Sequence, residues 1–207
     1  MDNVSLGIKF RTLEVAGFHS AILAMRNPMD SWAKSDTKTG KIGPADRELS
    51  QRLSKAGDEH AKHLRMIQVW VDIKAPRYWW GEFDTYKLGV EKISCSTMHT
   101  LMRRHLTVDD FEMDADDGQI ATTIDLINRS MDLWKLTEDP DEKKWIWRGI
   151  IQSLPQSFLQ KRTVMMNYAA IRRIYHQREG HKLVEWECFR AWARTLPESW
   201  MITGEGE

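Results

Sequence analysis

The sequence reads as an α+β chain folded as one domain over residues 1–207. Three observations carry this. Alternating apolar residues, which suit strands, fall in the first 80 residues, most clearly at Ile67–Ile73 (IQVWVDI). Apolar residues at helical spacing dominate from Gln119 onward. No Pro/Gly/Ser-rich linker interrupts the middle of the chain. Strands early and helices late favour α+β over a doubly wound sheet.

In order, residues near Val4–Val15 alternate as a strand, and Ala16–Met25 reads as a helix ending before Asn27-Pro28. Ser35–Gly43 is polar and Gly-bearing, hence a loop. Pro44 suits a first helical position, with Leu49 and Leu53 marking a buried face and Gly57 the stop. His60–Met66 reads as a short helix, followed by the strand Ile67–Ile73. Asp109–Gly118 is an acidic loop. Ile120, Ile124, Ile127, Met131 and Trp134 then share a helix face. A second helix follows Pro140, and a third is predicted from about Pro155 through His176, with Val164, Tyr168, Ile171 and Tyr175 on one side. The last carries Leu183, Trp186, Phe189 and Ala193, and stops at Pro197.

The composition, 42% hydrophobic and 29% charged, belongs to a globular protein. Lys+Arg and Asp+Glu balance at 30 each, so global charge steers toward neither nucleic acid nor membrane, and an anionic partner needs a local cluster. The N-terminus lacks the pattern of a signal peptide, and no stretch reaches the apolar length of a membrane span. Cys95 and Cys188 form neither a disulfide framework nor a zinc site, so a reducing cytoplasm is expected. Ten tryptophans suit a core or an oligomer interface.

Phosphate-loop, nucleophile-elbow and zinc-protease motifs are absent. Glu112, Asp114, Asp116 and Asp117 suggest a calcium loop, but that template needs Gly at Asp117 and Glu at Thr123, so a solvated acidic loop is expected. His60 and His63, with Glu59, share a helix face, yet no further ligand accompanies them and no metal site is assigned. Lys161, Arg162, Arg172, Arg173, Arg178 and Lys182 form a basic cluster, which either grips phosphate or carboxylate or is a solvated helix face. Tyr168, Tyr175 and Trp186 lie among them, suited to stacking or to a core. Glu82 and Asp84 are general acid/base candidates if they face a cleft; otherwise they pair with Lys87 or cap a helix.

Leu154-Pro155, then Asn167, then Arg178, followed by His181, Glu185 and Trp186, resembles the C-terminal pattern of flavin-dependent thymidylate synthases. Gly57–His63, the strand Ile67–Ile73 and Pro76-Arg77-Tyr78 resemble its upstream elements in the same order, so the likeness spans Ser54–Ala193. The family's Arg-His-Arg, seven residues, Ser signature is altered: Tyr86-Lys87-Leu88 stands on the basic triplet and Ser96 on the serine. Ser94 stands where a Glu is usual, and Met98 where an Arg contacts nucleotide phosphate. The block Trp79–Tyr86 is also similar to one shared by phage-encoded proteins, which implies a viral setting and a host cytoplasm.

The resemblance implies a mixed sheet with long C-terminal helices and a homotetramer with flavin held between subunits. It further implies FAD, NADPH and methylenetetrahydrofolate as cofactors, and methylation of deoxyuridylate (dUMP) at C5. Glu82 and Ser96 are then the candidate catalytic residues, although the family's serine anchors nucleotide and is not a nucleophile. Ser96, Lys87 and Arg178 would bind substrate; His60, His63, Asn167 and Arg173 would bind cofactor. Charge missing at Met98 would come from Lys87, Arg103 or Arg104, and the apolar Leu88 and Ile93 suggest a repacked wall around Met98. The competing reading is a nucleotide-binding or scaffold protein that kept the fold without catalysis. Single-stranded nucleic-acid binding is disfavoured by the neutral charge.

Overall fold

The computed structural model describes residues 7–38, 40–113 and 118–205. The start of the expected first strand, and Asp114, Asp116 and Asp117 of the acidic run, lie outside them. Strand β1 (Lys9–Ala16) leads into helix α1 (Phe18–Ala24), then 3-10 turns at Asn27–Met29 and Trp32–Lys34, then α2 (Pro44–Ala56). Gly17 joins β1 to α1 at φ 99°, and a Cβ there would sit 2.4 Å from the Met66 carbonyl oxygen, so only glycine fits. A 3-10 turn at Lys62–Met66, rather than an α-helix, precedes β2 (Gln68–Pro76). Then come α3 (Arg77–Phe83), β3 (Val90–Ser94) and α4 (Thr97–Thr100), followed by α5 (Gly118–Leu136) and α6 (Pro140–Ser153). The chain ends in β4 (Leu159–Asn167), α7 (Tyr168–Gln177), α8 (Glu185–Arg194) and α9 (Trp200–Thr203).

The architecture is α+β, with one antiparallel sheet in the order β1-β2-β4-β3. The third predicted helix is corrected here: Leu159–Asn167 is a strand, and helix begins only at Tyr168. Val164 and Met166 are both fully buried, a period of two that no helix face provides. Val164 falls in step with the true face of α7 (Tyr168, Ile171, Tyr175) only by coincidence of spacing. Asn167 makes the break, its Oδ1 accepting from the Ala170 N–H at 2.8 Å as the N-cap.

The described residues fall into two compact units. The first comprises the described residues within Met1–Lys9, Ile73–Asp84 and Ser94–Arg162; the second comprises those within Phe10–Asp72, Thr85–Ile93 and Thr163–Glu207. In the first, α5 buries Ile124, Ile127 and Met131 against Ile150 of α6, the face its spacing predicts. Glu112 belongs to no solvated loop: it is buried and accepts from the Gly7 and Ile8 amides at 2.6 and 2.9 Å. Trp79 and Trp80 are buried beside Phe83, so these tryptophans are core.

In the second unit α7 and α8 close on Ile171, Ile174, Trp186 and Phe189. Helix α2 corrects a second expectation, because its buried positions are Asp46 and Ser50, whereas Leu49 and Leu53 are only part-buried. The polar face goes inward because each group has a partner there. Asp46 accepts from Arg26 Nε at 2.6 Å, Ser35 Oγ at 2.7 Å and the Thr37 amide at 3.0 Å; Ser50 meets His63 at 2.7 Å. Burial pushes the Asp46 carboxyl up, but the bonds from Thr37, Ser35 and Arg26 with the Arg26 charge outweigh it and hold the pKa below its usual value. Among the described residues no helix is long and apolar enough to cross a membrane.

Candidate functional site

Ser96 and Met98 line a cavity of about 450 Å³ in the first unit, together with Arg77, Trp80, Asp84 and Arg162. Strand β4 supplies Arg162, which is therefore on a sheet and not on the solvated helix face that charge spacing suggested. Its guanidinium is engaged along two edges: Nη1 donates to both Asp84 oxygens at 2.9 and 3.1 Å, while Nε and Nη2 donate to Gln160 Oε1. It also stacks 4.2 Å above the Trp80 ring. Trp80 Nε1 donates to the Gln160 carbonyl at 2.9 Å, which ties the indole to the strand. Asp84 thus pairs with Arg162. Glu82 lies on α3, but it is its neighbours Gly81 and Asp84 that line the cavity. Arg77 opens α3, and its one side-chain hydrogen bond in the described structure reaches the Leu154 carbonyl at 3.4 Å.

The repacked wall expected around Met98 is absent. Met98 is 51% exposed, and Leu88 and Ile93 are 77% and 80% exposed. Of the cations offered for the missing charge, Arg104 is held by Asp110 at 2.5 and 2.7 Å, and Lys87 sits exposed on the turn before β3. Arg103, itself exposed, ends a 3-10 turn whose Leu101 is buried. None of the three lines this cavity; Arg77 does. Sequence reading passed over Arg77 because a lone arginine beside a proline carries no spacing signal.

In the second unit, Arg178 follows α7 and is enclosed by aromatic groups. Its Nε donates to the Tyr86 hydroxyl at 2.7 Å, Nη1 lies 2.9 Å from His181 Nε2, and the guanidinium sits 4.3 Å above Trp186. Asn167 spends its oxygen on the α7 cap, and its amide packs so closely on Gly89 that a Cβ there would approach to 2.3 Å. Arg173 donates to the Leu88 carbonyl at 3.2 Å. Thus Asn167, Arg173 and Arg178 each touch the segment 86–89, where the resemblance places the basic triplet.

Arg173 also borders a cavity of about 250 Å³ with Arg65, Arg172, His176 and Asp58. Three guanidinium groups face one carboxylate there, a lining that fits a polyanion such as the pyrophosphate of a dinucleotide. His60 and His63 border a separate, largely apolar cavity of about 670 Å³ with Leu49, Leu53 and Met66. His60 is exposed, whereas His63 is buried, its pKa pushed down to about 4 by burial and then by the charge of Arg172. It is a neutral core histidine bonded to Ser50. Among the described residues no group of three or more His, Cys, Asp or Glu side chains is arranged to hold a metal.

The chain has the fold of flavin-dependent thymidylate synthases. The Helicobacter pylori enzyme of that name, solved in complex with FAD and dUMP, superposes with a TM-score of 0.75 at 17% identity, over 95% of this chain and 98% of that one. A second Helicobacter pylori structure with the same two ligands gives 0.73 at 16% identity, with the same coverage. No family model matches the sequence, and no curated protein matches it.

Proposed function

We propose that this protein binds a pyrimidine deoxynucleotide monophosphate and a flavin dinucleotide, and transfers a one-carbon unit to C5 of dUMP. The observation that carries the reading is the end-to-end likeness to an enzyme solved with both FAD and dUMP. The cofactor would take its pyrophosphate to Arg65, Arg172 and Arg173, whose cavity suits it in charge. When bound, the flavin would supply the hydride-transfer chemistry, with a nicotinamide as reductant and methylenetetrahydrofolate as the one-carbon source. The protein's own part is placement and charge. Ser96 offers a hydroxyl to the nucleotide in the cavity it lines, while Lys87, exposed and outside that lining, is a separate proposed contact for substrate. Arg178 is held by Tyr86 and Trp186, so it is rigid before any ligand arrives. Glu82 lies outside the lining of the Ser96 cavity, so the acid/base role proposed for it requires a substrate that extends beyond Gly81. The assembly proposed is a homotetramer in the cytoplasm, that of an infected host if the phage-like block Trp79–Tyr86 reflects the chain's origin.

A second reading has its own observation. Tyr86 stands on the basic triplet and spends its hydroxyl on Arg178, so the site is remodelled where the family is basic. This favours a nucleotide-binding protein without catalysis. Incubation with dUMP, methylenetetrahydrofolate, NADPH and FAD separates the readings. Thymidylate in the chromatogram supports the enzyme; calorimetric dUMP binding without product supports the second reading. Neither binding nor product overturns both.

A further inference from the structure

We propose that Arg77 is the phosphate-binding cation of the cavity shared by Ser96 and Met98. This rests on the nucleotide reading above and names the residue that gives that site its preference for a phosphate monoester.

The inference follows from the charges lining one cavity. Two guanidinium groups and one carboxylate border it: Arg77, Arg162 and Asp84. Arg162 and Asp84 neutralise each other through two hydrogen bonds, and Gln160 takes the remaining edge of the Arg162 fork. Trp80 covers one face of that guanidinium. An incoming anion would compete with the Asp84 carboxylate for the Arg162 charge, and would be repelled by that carboxylate while doing so. Arg77 carries no such tie. Its single bond to the Leu154 carbonyl is long, at 3.4 Å, which leaves most of its donors for a ligand. The cavity's uncompensated charge is therefore that of Arg77. Hydroxyls of Ser96 and Thr97 and the amide of Gln156 border the same space and supply neutral donors to oxyanion oxygens. The volume, about 450 Å³, suits a small ligand. Met98, half-exposed at the same cavity, supplies no charge, so the cation comes from the start of α3 and not from α4.

The test compares dUMP with deoxyuridine, which lacks the phosphate, by calorimetry on the full chain and on Arg77→Gln. The expected result is about a 10- to 100-fold loss of dUMP affinity, the size of a charge-assisted hydrogen bond, with deoxyuridine binding unchanged. Inorganic phosphate should raise the melting temperature of the wild type and leave Arg77→Gln unmoved. Adding Met98→Arg to Arg77→Gln should restore dUMP affinity, because Met98 faces the same cavity; that rescue also shows that the folded site survives both changes. Equal dUMP affinity in wild type and Arg77→Gln overturns the inference while leaving the nucleotide reading intact. A wild type that ignores dUMP but is stabilised by phosphate through Arg77 sinks the nucleotide reading and keeps the anion site. Parallel loss of dUMP and deoxyuridine binding, unrescued by Met98→Arg, assigns Arg77 to structure and overturns the inference.

Discussion

At the residue scale, Asp46 and His63 are buried polar residues of the second unit whose burial bears directly on stability. Asp46 and Arg26 are both nearly inaccessible, and the carboxylate holds the guanidinium and the loop amides together. Asp46→Ala strands a buried charge, so chemical denaturation should show a loss of about 3–5 kcal/mol. His63 has a folded pKa near 4, below its ordinary value, so its neutral form stabilises the fold at neutral pH. That stability is present above the unfolded pKa of about 6.5 and is lost as pH falls toward 4, because the unfolded chain binds the proton first. His63→Gln should flatten the decline in melting temperature between pH 6.5 and 4; an unchanged slope would show that other groups carry it. Arg178→Lys gives up the Nε bond to Tyr86, so a lower melting temperature is expected with any loss of dUMP affinity, contrary to the behaviour of a purely ligand-facing arginine. Sequence reading could name Arg178 and His63 from order and spacing. It could not show that tertiary partners such as Tyr86 and Ser50 had claimed them.

At the scale of elements, the strand-to-helix junction at Asn167 organises the second unit. Asn167→Ala removes the cap of α7 and should cost about 1 kcal/mol. Gly89→Ala should cost more, since its Cβ would collide with the Asn167 amide and φ there is 73°. Denaturation midpoints in the reverse order would contradict this packing. Helices α5 and α8 were legible because each buries an apolar stripe at helical period, whereas α6 was marked by Pro140 at its start and buries Ile150. Strand β4 was not, because Val164 aligns by chance with the stripe of α7 and the charged pair Lys161-Arg162 interrupts the strand's apolar alternation. Helix α2 misled for the opposite reason: its apolar residues border a cavity, and its buried positions are satisfied by hydrogen bonds that no periodicity reveals.

At the scale of the whole molecule, the order of elements was enough to indicate α+β, and the likeness over 95% of the chain bears out the fold that the resemblance implied. The proposed cation at Arg77, with Tyr86-Lys87-Leu88 on the basic triplet, would make this a site changed on a retained fold, and the fold does not by itself fix the chemistry. A tetramer is the expected assembly, and light scattering at micromolar concentration should return about four times the 24.2 kDa chain mass. A clean monomer would argue against a flavin site shared between subunits. Titration of FAD into the purified protein tests the central claim most directly, followed by the flavin band near about 450 nm, a property of the cofactor. The account predicts saturable uptake that Arg172→Ala/Arg173→Ala weakens, and bleaching of the band by NADPH. A protein that binds dUMP but takes up no FAD at any concentration would contradict it.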